Sequence, residues 1–167
     1  ANWTYYLDFD EETGEFDSLN AFQEATNIAV EYYEDIDENK SFVGTIKDEL
    51  KLGKDTGYDV FTLTDSSLVR LYELDQLQPF DRSLTPTVNS NMMDLVAHVS
   101  FDPERDFSIP YQGGMTGLVY NKQLYPKGIR EVSDLWDPEL EGKVSLLSEH
   151  DDTLALVMLE HGVNVRD

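Results

Sequence analysis

Apolar residues recur at helical spacing in several segments of the chain, and polar residues fill the positions between them. The segment 41–53 is the clearest example, because Phe42, Ile46 and Leu50 are spaced by four. Ser41 is its predicted N-cap, and Gly53 is its predicted stop signal. The same pattern predicts helices over residues 17–27, 41–53, 66–74 and 149–162, and a helical turn over 133–142 that Pro138 breaks.

Short runs of branched and aromatic residues lie between these helices and are typical of strands. They cover residues 28–33, 58–64, 115–122 and 143–147. The alternation of strands with helices predicts a mainly parallel sheet flanked by helices, which is an α/β architecture. The chain stops soon after a new strand–helix unit begins at residue 143. We therefore expect it to be an incomplete piece of a longer protein.

Acidic residues dominate the charge of the chain. Its 167 residues include 34 Asp and Glu against 12 Lys and Arg, which gives a formal net charge of −22 and a pI near 4.2. This balance argues against nucleic-acid binding and against docking on an anionic membrane, because both need clustered basic residues. It permits a cationic partner, since a negative field concentrates cations, but a solvated surface explains the acids equally well.

The sequence carries no recognisable catalytic or metal-binding motif. There is no cysteine, no Gly-x-Ser-x-Gly elbow, no P-loop and no His-Glu-x-x-His pattern. Two acidic runs resemble a calcium loop, but frames that start at Asp8 and Asp35 place Thr13 and Lys40 where the EF-hand requires glycine. We therefore expect no enzymatic activity, no cofactor and no metal ion.

The stretch "SEHDDTL" (148–154) lies where a predicted strand meets a predicted helix, and ligands of open α/β sheets bind at such junctions. Glu149 and Asp152 are three residues apart, so both carboxylates project to the same side of a helix start. This pair suits a positively charged ligand. The alternative is helix capping, because Ser148 and Asp151 have the spacing of a capping box. The spacing alone favours neither interpretation.

Five blocks of the sequence occur together in one known family. They are "NWTYY", "GYDVFTLTD", "LQPFDRS", "SIPYQGGMTGLVYNK" and "VSDLWDPELEGKVSLLSEHDDTL". In this order they resemble the spermidine/putrescine-binding proteins, periplasmic or lipoprotein, that deliver polyamines to ABC transporters. The resemblance covers essentially the whole chain, and "SDLWDPELEGKVSLL" is its most specific block.

The resemblance implies a two-lobe fold of the type II periplasmic-binding-protein class, with the ligand held between two α/β lobes. Residues 1–118 would then form most of the first lobe, incomplete without a C-terminal segment. Residues 119–167 would form the hinge crossing and the start of the second lobe, with the crossing strand around 117–121. The implied location is the periplasm or the extracellular face of a bacterial membrane, with a lipoprotein anchor as one variant. The implied partners are a small cationic solute, with a polyamine as the leading candidate, and the membrane permease of an ABC transporter.

The resemblance also implies the ligand-binding residues. Trp3 and Tyr6 match rings that flank the ligand's chain in the family, and Thr4 lies between them. Glu149 and Asp152 match the family's acidic pair.

The loop after "YDVFTLT" contributes Thr64, Asp65 and Ser66 to the implied site. Thr64 matches a polar contact of the family. Ser66 departs from the pattern, because the family usually has Tyr or Trp there, and this departure leaves the identity of the solute open.

Two other functions remain as alternatives at this stage. One is a two-lobe sensor or adaptor that binds a different small polar solute without transport. The other is a hydrolase or metal-dependent enzyme on a similar scaffold, for which the sequence offers no ligand set.

Overall fold

The computed structural model describes residues 1–165 and divides into two compact units. Unit 1 is Ala1–Gln112, and unit 2 is Gly113–Asp167. The predicted division into lobes, 1–118 and 119–167, refers to the two lobes of a longer protein. It therefore stays a prediction.

Helices make up most of the regular structure in both units. Unit 1 contains α1 (Asp17–Thr26), α2 (Asn39–Lys51), α3 (Asp65–Glu73), a 3-10 turn (Arg82–Leu84), α4 (Pro86–Asn91) and α5 (Asp94–Ala97). Unit 2 contains two 3-10 turns (Val132–Trp136 and Pro138–Leu140) and α6 (His150–Glu160). The four predicted helices are confirmed, and so is the helical turn that breaks at Pro138. The fold is therefore mixed, with many helices and few strands.

Carboxylates, rather than the predicted hydroxyl, hold the starts of the first two long helices. Glu38 occupies the N-cap of α2, and its side chain accepts the N–H groups of Lys40 and Ser41. The prediction of Ser41 as the cap is therefore wrong. At α1, the carboxylate of Asp8 accepts the N–H of Ser18 at 3.0 Å from outside the helix. A carboxylate makes a stronger hydrogen bond to an amide N–H than a hydroxyl does, so Glu38 and Asp8 are effective acceptors for the first N–H groups of these two helices.

The predicted parallel sheet is not formed in the part of the chain that the structure describes. The strands there are β1 (Phe9–Asp10) and β2 (Glu15–Phe16), which pair antiparallel across a short turn. None of the four predicted strand segments is a strand in the structure. A strand needs a neighbour that pairs with it over several residues, and these segments have too few such bonds.

Within residues 1–165, parallel pairing between chain segments is limited to a single bridge at residues 1–3. Residues 1–3 lie between residues 33–36 and 60–62, and Trp3 makes a parallel bridge with Ile36. Four bonds between main-chain atoms connect the three segments. Two join residues 1–3 to residues 33–36, from Asn2 N to Tyr33 O at 2.8 Å and from Ile36 N to Asn2 O at 3.2 Å. The other two join them to residues 60–62, from the Ala1 amino group to Val60 O at 2.6 Å and from Thr62 N to Ala1 O at 3.0 Å. The start of the chain is thus the centre of a short three-segment arrangement, and it carries Trp3 into unit 1.

The core of unit 1 lies beneath this arrangement. Its buried members come from α2, α3 and the segments beside residues 1–3: Ile36, Phe42, Ile46, Leu63 and Leu71. Trp3 packs against this cluster from its edge. In unit 2 the buried apolar residues among those described are Tyr125 and Val132, so its core is much smaller.

Candidate functional site

Residues 3–6 form a tight turn, here called the ring turn, that carries three aromatic side chains. The N–H of Tyr6 donates to the carbonyl of Trp3 at 3.4 Å. Tyr5 adopts a φ of +65°, a left-handed conformation that costs a residue with a side chain about 1–2 kcal/mol. The ring of Tyr5 is 87% exposed, so burial of the ring does not offset this cost. Strain of this kind persists where surrounding contacts fix the backbone.

Three rings stack in sequence at the ring turn. Trp3 and Tyr6 have ring centroids 6.2 Å apart with planes at 27°, and Tyr6 and Tyr111 have centroids 6.0 Å apart with planes at 15°. The Tyr111 hydroxyl also donates to the Tyr6 carbonyl at 2.6 Å. Tyr111 belongs to the "SIPYQGG" block, but no spacing in the sequence connects it with Tyr6. It is a member of the site that sequence reasoning missed.

Trp3 has a structural role and an exposed surface at the same time. Its indole Nε1 donates to the carbonyl of Thr62 at 3.0 Å, and the ring is half-buried against the core. Asn2, which is 6% exposed, accepts the N–H of Trp3 through its side chain at 2.9 Å. The indole is thereby fixed while part of its surface stays accessible. Aromatic faces of this kind attract ammonium groups.

A carboxylate lies next to the ring turn. Glu34 accepts the N–H of Tyr5 at 3.0 Å, and its side chain is exposed. Nearby, burial raises the pKa of the Tyr32 hydroxyl; interaction with the Asn2 side chain lowers it in part, and the charge of Glu34 raises it. Tyr32 is therefore neutral at physiological pH, and Glu34 supplies the negative charge beside the rings.

The loop Thr64–Ser66 forms the start of α3. Thr64 is the N-cap residue, and its N–H donates to the side-chain oxygen of Asn39 at 3.0 Å. Asn39 is 1% exposed, so this bond attaches the loop to the interior of unit 1. The hydroxyls of Thr64 and Ser66 lie 3.0 Å apart in a shared hydrogen bond. The loop presents two hydroxyls, and Ser66 contributes no ring to the surface.

Asp65 lies close to a buried cation. Its carboxylate is 3.9 Å from the guanidinium of Arg105, whose side chain is 5% exposed. Arg105 also donates to the carbonyl of Val96 and to the hydroxyl of Ser108. A guanidinium this close competes with any ammonium for the Asp65 carboxylate. Of the predicted site residues in unit 1, Asp65 is thus the least suited to bind a cation directly.

The predicted acidic pair lies at the start of α6 in unit 2. Glu149 occupies the N-cap position and Asp152 follows three residues later, which places both on the same side of the first turn. The carboxylate of Asp152 accepts the hydroxyl of Thr116 at 2.8 Å. The N-cap residue is Glu149, one position after Ser148, and the choice between capping and ligand binding for the acids of this turn stays open. Sequence reasoning missed Thr116.

The structure groups the predicted site residues by unit. Unit 1 brings Trp3 and Tyr6 together, and the bond from Trp3 to Thr62 connects them to the chain two residues before Thr64. Thr4 lies on the ring turn, exposed to solvent. Glu149 and Asp152 belong to unit 2. Aromatic rings and carboxylates are both side-chain types that bind organic cations.

Two further properties concern residues 1–165. No group of three or more His, Asp or Glu side chains in this range is arranged to hold a metal ion. Within the same range, no helix combines the length and the apolar composition that crossing a bilayer requires.

A family model described as "Bacterial extracellular solute-binding protein" matches residues 17–167 of the chain. The Spermidine/putrescine-binding periplasmic protein of Escherichia coli K12 is 28% identical over 162 residues, covering 96% of this chain and 43% of that relative. The Putrescine-binding periplasmic protein PotF of the same organism is 28% identical over 141 residues, covering 81% and 34%. SpuD of Pseudomonas aeruginosa UCBPP-PA14, also named a putrescine-binding periplasmic protein, is 30% identical over 139 residues with the same coverage.

The chain spans less than half the length of the curated relatives it matches. No solved structure gives a significant match to it. The mixed fold with few strands is compatible with the fold of the matched family.

Proposed function

Because the chain belongs to the bacterial extracellular solute-binding proteins, we propose that it is part of a protein that captures a small organic cation, a polyamine, for import by an ABC transporter. The family match and the relatives confirm the resemblance that the five sequence blocks carry. The observation that carries the proposal furthest is the stacked Trp3–Tyr6 pair on a fixed turn.

The chemistry of the two candidate surfaces matches the two parts of a polyamine. Protonated amines alternate with methylene segments in such a molecule, and aromatic faces interact favourably with both. Each cation contact with a ring contributes about 0.5–2 kcal/mol. Carboxylates fix the terminal ammonium groups through charge-assisted hydrogen bonds. We assign the first role to Trp3 and Tyr6 and the second to Glu149 and Asp152.

The proposed architecture is the two-lobe type II fold, with residues 1–118 as most of the first lobe and 119–167 as the crossing and the start of the second. The proposed location is outside the cytoplasmic membrane, in the periplasm or on the extracellular face. The proposed partner is the transporter's permease, and the protein binds its solute without chemical change. The relatives named above support this assignment, because each is named as a periplasmic binding protein.

The test compares site carboxylates with carboxylates that only add charge, in the full-length protein. Glu149→Gln and Asp152→Asn each remove one charge from the proposed site. Glu24→Gln and Glu141→Gln remove one charge from exposed side chains elsewhere in units 1 and 2. We expect each site variant to weaken spermidine or putrescine binding at least tenfold, about 1.4 kcal/mol, and each control variant to change it little.

Calorimetric titration at low and at moderate salt is the measurement. Diffuse charge is screened by salt and is shared among many residues, whereas the loss of a bonded carboxylate leaves an ammonium without its partner. Equal, small effects of all four substitutions would show that Glu149 and Asp152 do not contact the solute. The absence of polyamine binding by the unmodified protein would refute the proposed solute class.

A further inference from the structure

We propose that Tyr111 and Glu34 are positioning residues, which hold the ring turn in its binding conformation before a solute arrives. The proposal rests on the proposed function in one respect, namely that Trp3 and Tyr6 contact the solute. The contacts that carry it are the Tyr111 hydroxyl on the Tyr6 carbonyl and the Glu34 carboxylate on the Tyr5 N–H.

Glu34 acts on the strained residue of the turn. Tyr5 holds a φ of +65°, which a residue with a bulky side chain rarely adopts. The ring of Tyr5 is exposed, so packing does not maintain this conformation. The Glu34 carboxylate accepts the Tyr5 N–H at 3.0 Å, and a charged acceptor makes this bond stronger than a neutral one would. Glu34 therefore stabilises the backbone shape on which the position of Tyr6 depends.

Tyr111 acts on the next residue through two contacts at once. Its hydroxyl reaches the Tyr6 carbonyl at 2.6 Å, and its ring lies nearly parallel to the Tyr6 ring at 6.0 Å. Backbone and ring of Tyr6 are thus both in contact with the same side chain. Tyr111 is itself 51% exposed, so it is not part of the buried core. The hydroxyl bond spans 105 residues and connects the ring turn to the end of unit 1, two residues before Gly113.

Trp3 does not need either contact. Its indole is bonded to Thr62 and packs against the core, and its N–H is bonded to Asn2. The ring of Tyr6, by contrast, takes its position relative to Trp3 from Glu34 and Tyr111. A ring pair that is already in place loses less conformational freedom when a ligand binds, so binding is tighter than to a mobile pair.

The first experiment separates the Tyr111 hydroxyl from its ring by measuring spermidine binding to the full-length protein. Tyr111→Phe keeps the ring and removes the bond to Tyr6, and we expect binding to weaken about three- to tenfold, the usual range for one hydrogen bond. Tyr33→Phe is the matched control, because the Tyr33 hydroxyl donates to Glu31 at 2.8 Å elsewhere in unit 1. It should leave the affinity unchanged. If Tyr111→Phe leaves the affinity unchanged, the hydroxyl has no positioning role. This conclusion holds even if Tyr111→Ala, which also removes the ring, weakens binding.

The second experiment separates positioning from charge at Glu34. Glu34→Gln keeps a side-chain oxygen that can accept the Tyr5 N–H, whereas Glu34→Ala removes the acceptor. We expect the Gln variant to bind spermidine within about twofold of the unmodified protein and the Ala variant to bind at least fivefold more weakly. If both variants weaken binding equally, Glu34 acts through its charge on the solute, and its assignment as a positioning residue is wrong.

A measurement without solute keeps this inference distinct from the proposed function. Residues 1–167 contain two tryptophans, so Trp136→Phe, with any tryptophan outside this range also replaced by Phe, leaves Trp3 as the only one. In that background, Tyr111→Phe and Glu34→Ala should change the near-ultraviolet circular dichroism of Trp3, because Tyr6 moves relative to it. Tyr33→Phe and Glu34→Gln should not. An unchanged signal in the first two variants overturns the inference, even if polyamines bind, and a changed signal supports it even if they do not.

Discussion

Asn39 is the buried side chain on which the loop of the candidate site depends. Its oxygen accepts the N–H of Thr64 at 3.0 Å, its side chain is 1% exposed, and it stands at the first position of α2. Asn39→Ala therefore removes the only bond described between the Thr64 N–H and the interior of unit 1. We expect the variant to lose stability and to loosen the loop Thr64–Ser66.

The magnitude follows from three contributions to the free energy of unfolding. An amide N–H that loses its partner in a buried site costs about 1–3 kcal/mol, and the lower half applies because the Thr64 side chain is exposed. The space left by the amide group adds about 1 kcal/mol. Alanine is the better helix former, which offsets up to about 0.7 kcal/mol. The net loss is about 2 kcal/mol, which lowers the urea midpoint by about 1 M.

Asn20→Ala is the matched control. Asn20 also lies in a helix, and its amide donates to Glu15 at 2.7 Å in an exposed position. The same substitution there should change stability by less than about 0.5 kcal/mol. Urea unfolding gives the midpoints, and hydrogen exchange reports the protection of the Thr64 amide. If Asn39→Ala costs no more than Asn20→Ala, or leaves the Thr64 amide protected, the reasoning from this bond is wrong.

Two further predictions concern the core and the response to acid. Leu71 is 1% exposed, so Leu71→Ala should lower the free energy of unfolding in urea by about 2–5 kcal/mol. Leu74 is 57% exposed, so Leu74→Ala should lower it by less than about 1 kcal/mol. Similar losses in the two variants would contradict the described core. Hydrogen bonds, first from the N–H of Glu139 and then from the hydroxyl of Tyr125, lower the pKa of Asp137 from 3.8 to about 2. The ionised carboxylate stabilises the fold above pH 4, and this contribution disappears as the pH falls towards 2. Near-ultraviolet circular dichroism should show a transition in this window that Asp137→Asn removes, and a transition that survives the substitution would refute the assignment.

The helices could be predicted from the sequence because helical periodicity is a local property. Phe42, Ile46 and Leu50 are spaced by four and lie on one helix, and all three belong to the core of unit 1 or pack against it. The strands could not be predicted in the same way. The segment 28–33 has the composition of a strand, but a strand also requires a neighbour. The one backbone–backbone bond described for this segment is at its end, from the N–H of Asn2 to the carbonyl of Tyr33.

The residues of the candidate site could likewise be predicted from the sequence only where they lie close together in the chain. Trp3 and Tyr6 were predicted from a resemblance, and their spacing within one turn is visible in the sequence. Tyr111 and Glu34 contact the turn across 105 and 29 residues, and no periodicity connects positions so far apart. The residues expected to contact the solute are therefore visible as a short sequence motif. The residues that hold them in position become visible only in the folded structure.

The acidity of the chain illustrates why a function cannot be derived from net charge. Several carboxylates hold backbone N–H groups instead of facing a ligand or only water. Asp10 accepts the N–H of Glu12 in the turn between β1 and β2, and Glu38 caps α2. Asp102, which is 3% exposed, accepts three successive N–H groups from residues 106–108. Such bonds are local and strong, because a charged acceptor meets an amide donor. Neutralising one of these acids would unfold a turn or a helix start and weaken solute binding indirectly. A comparison of carboxylates therefore separates a binding site from general acidity only if its controls, such as Glu24 and Glu141, come from exposed acids outside this structural group.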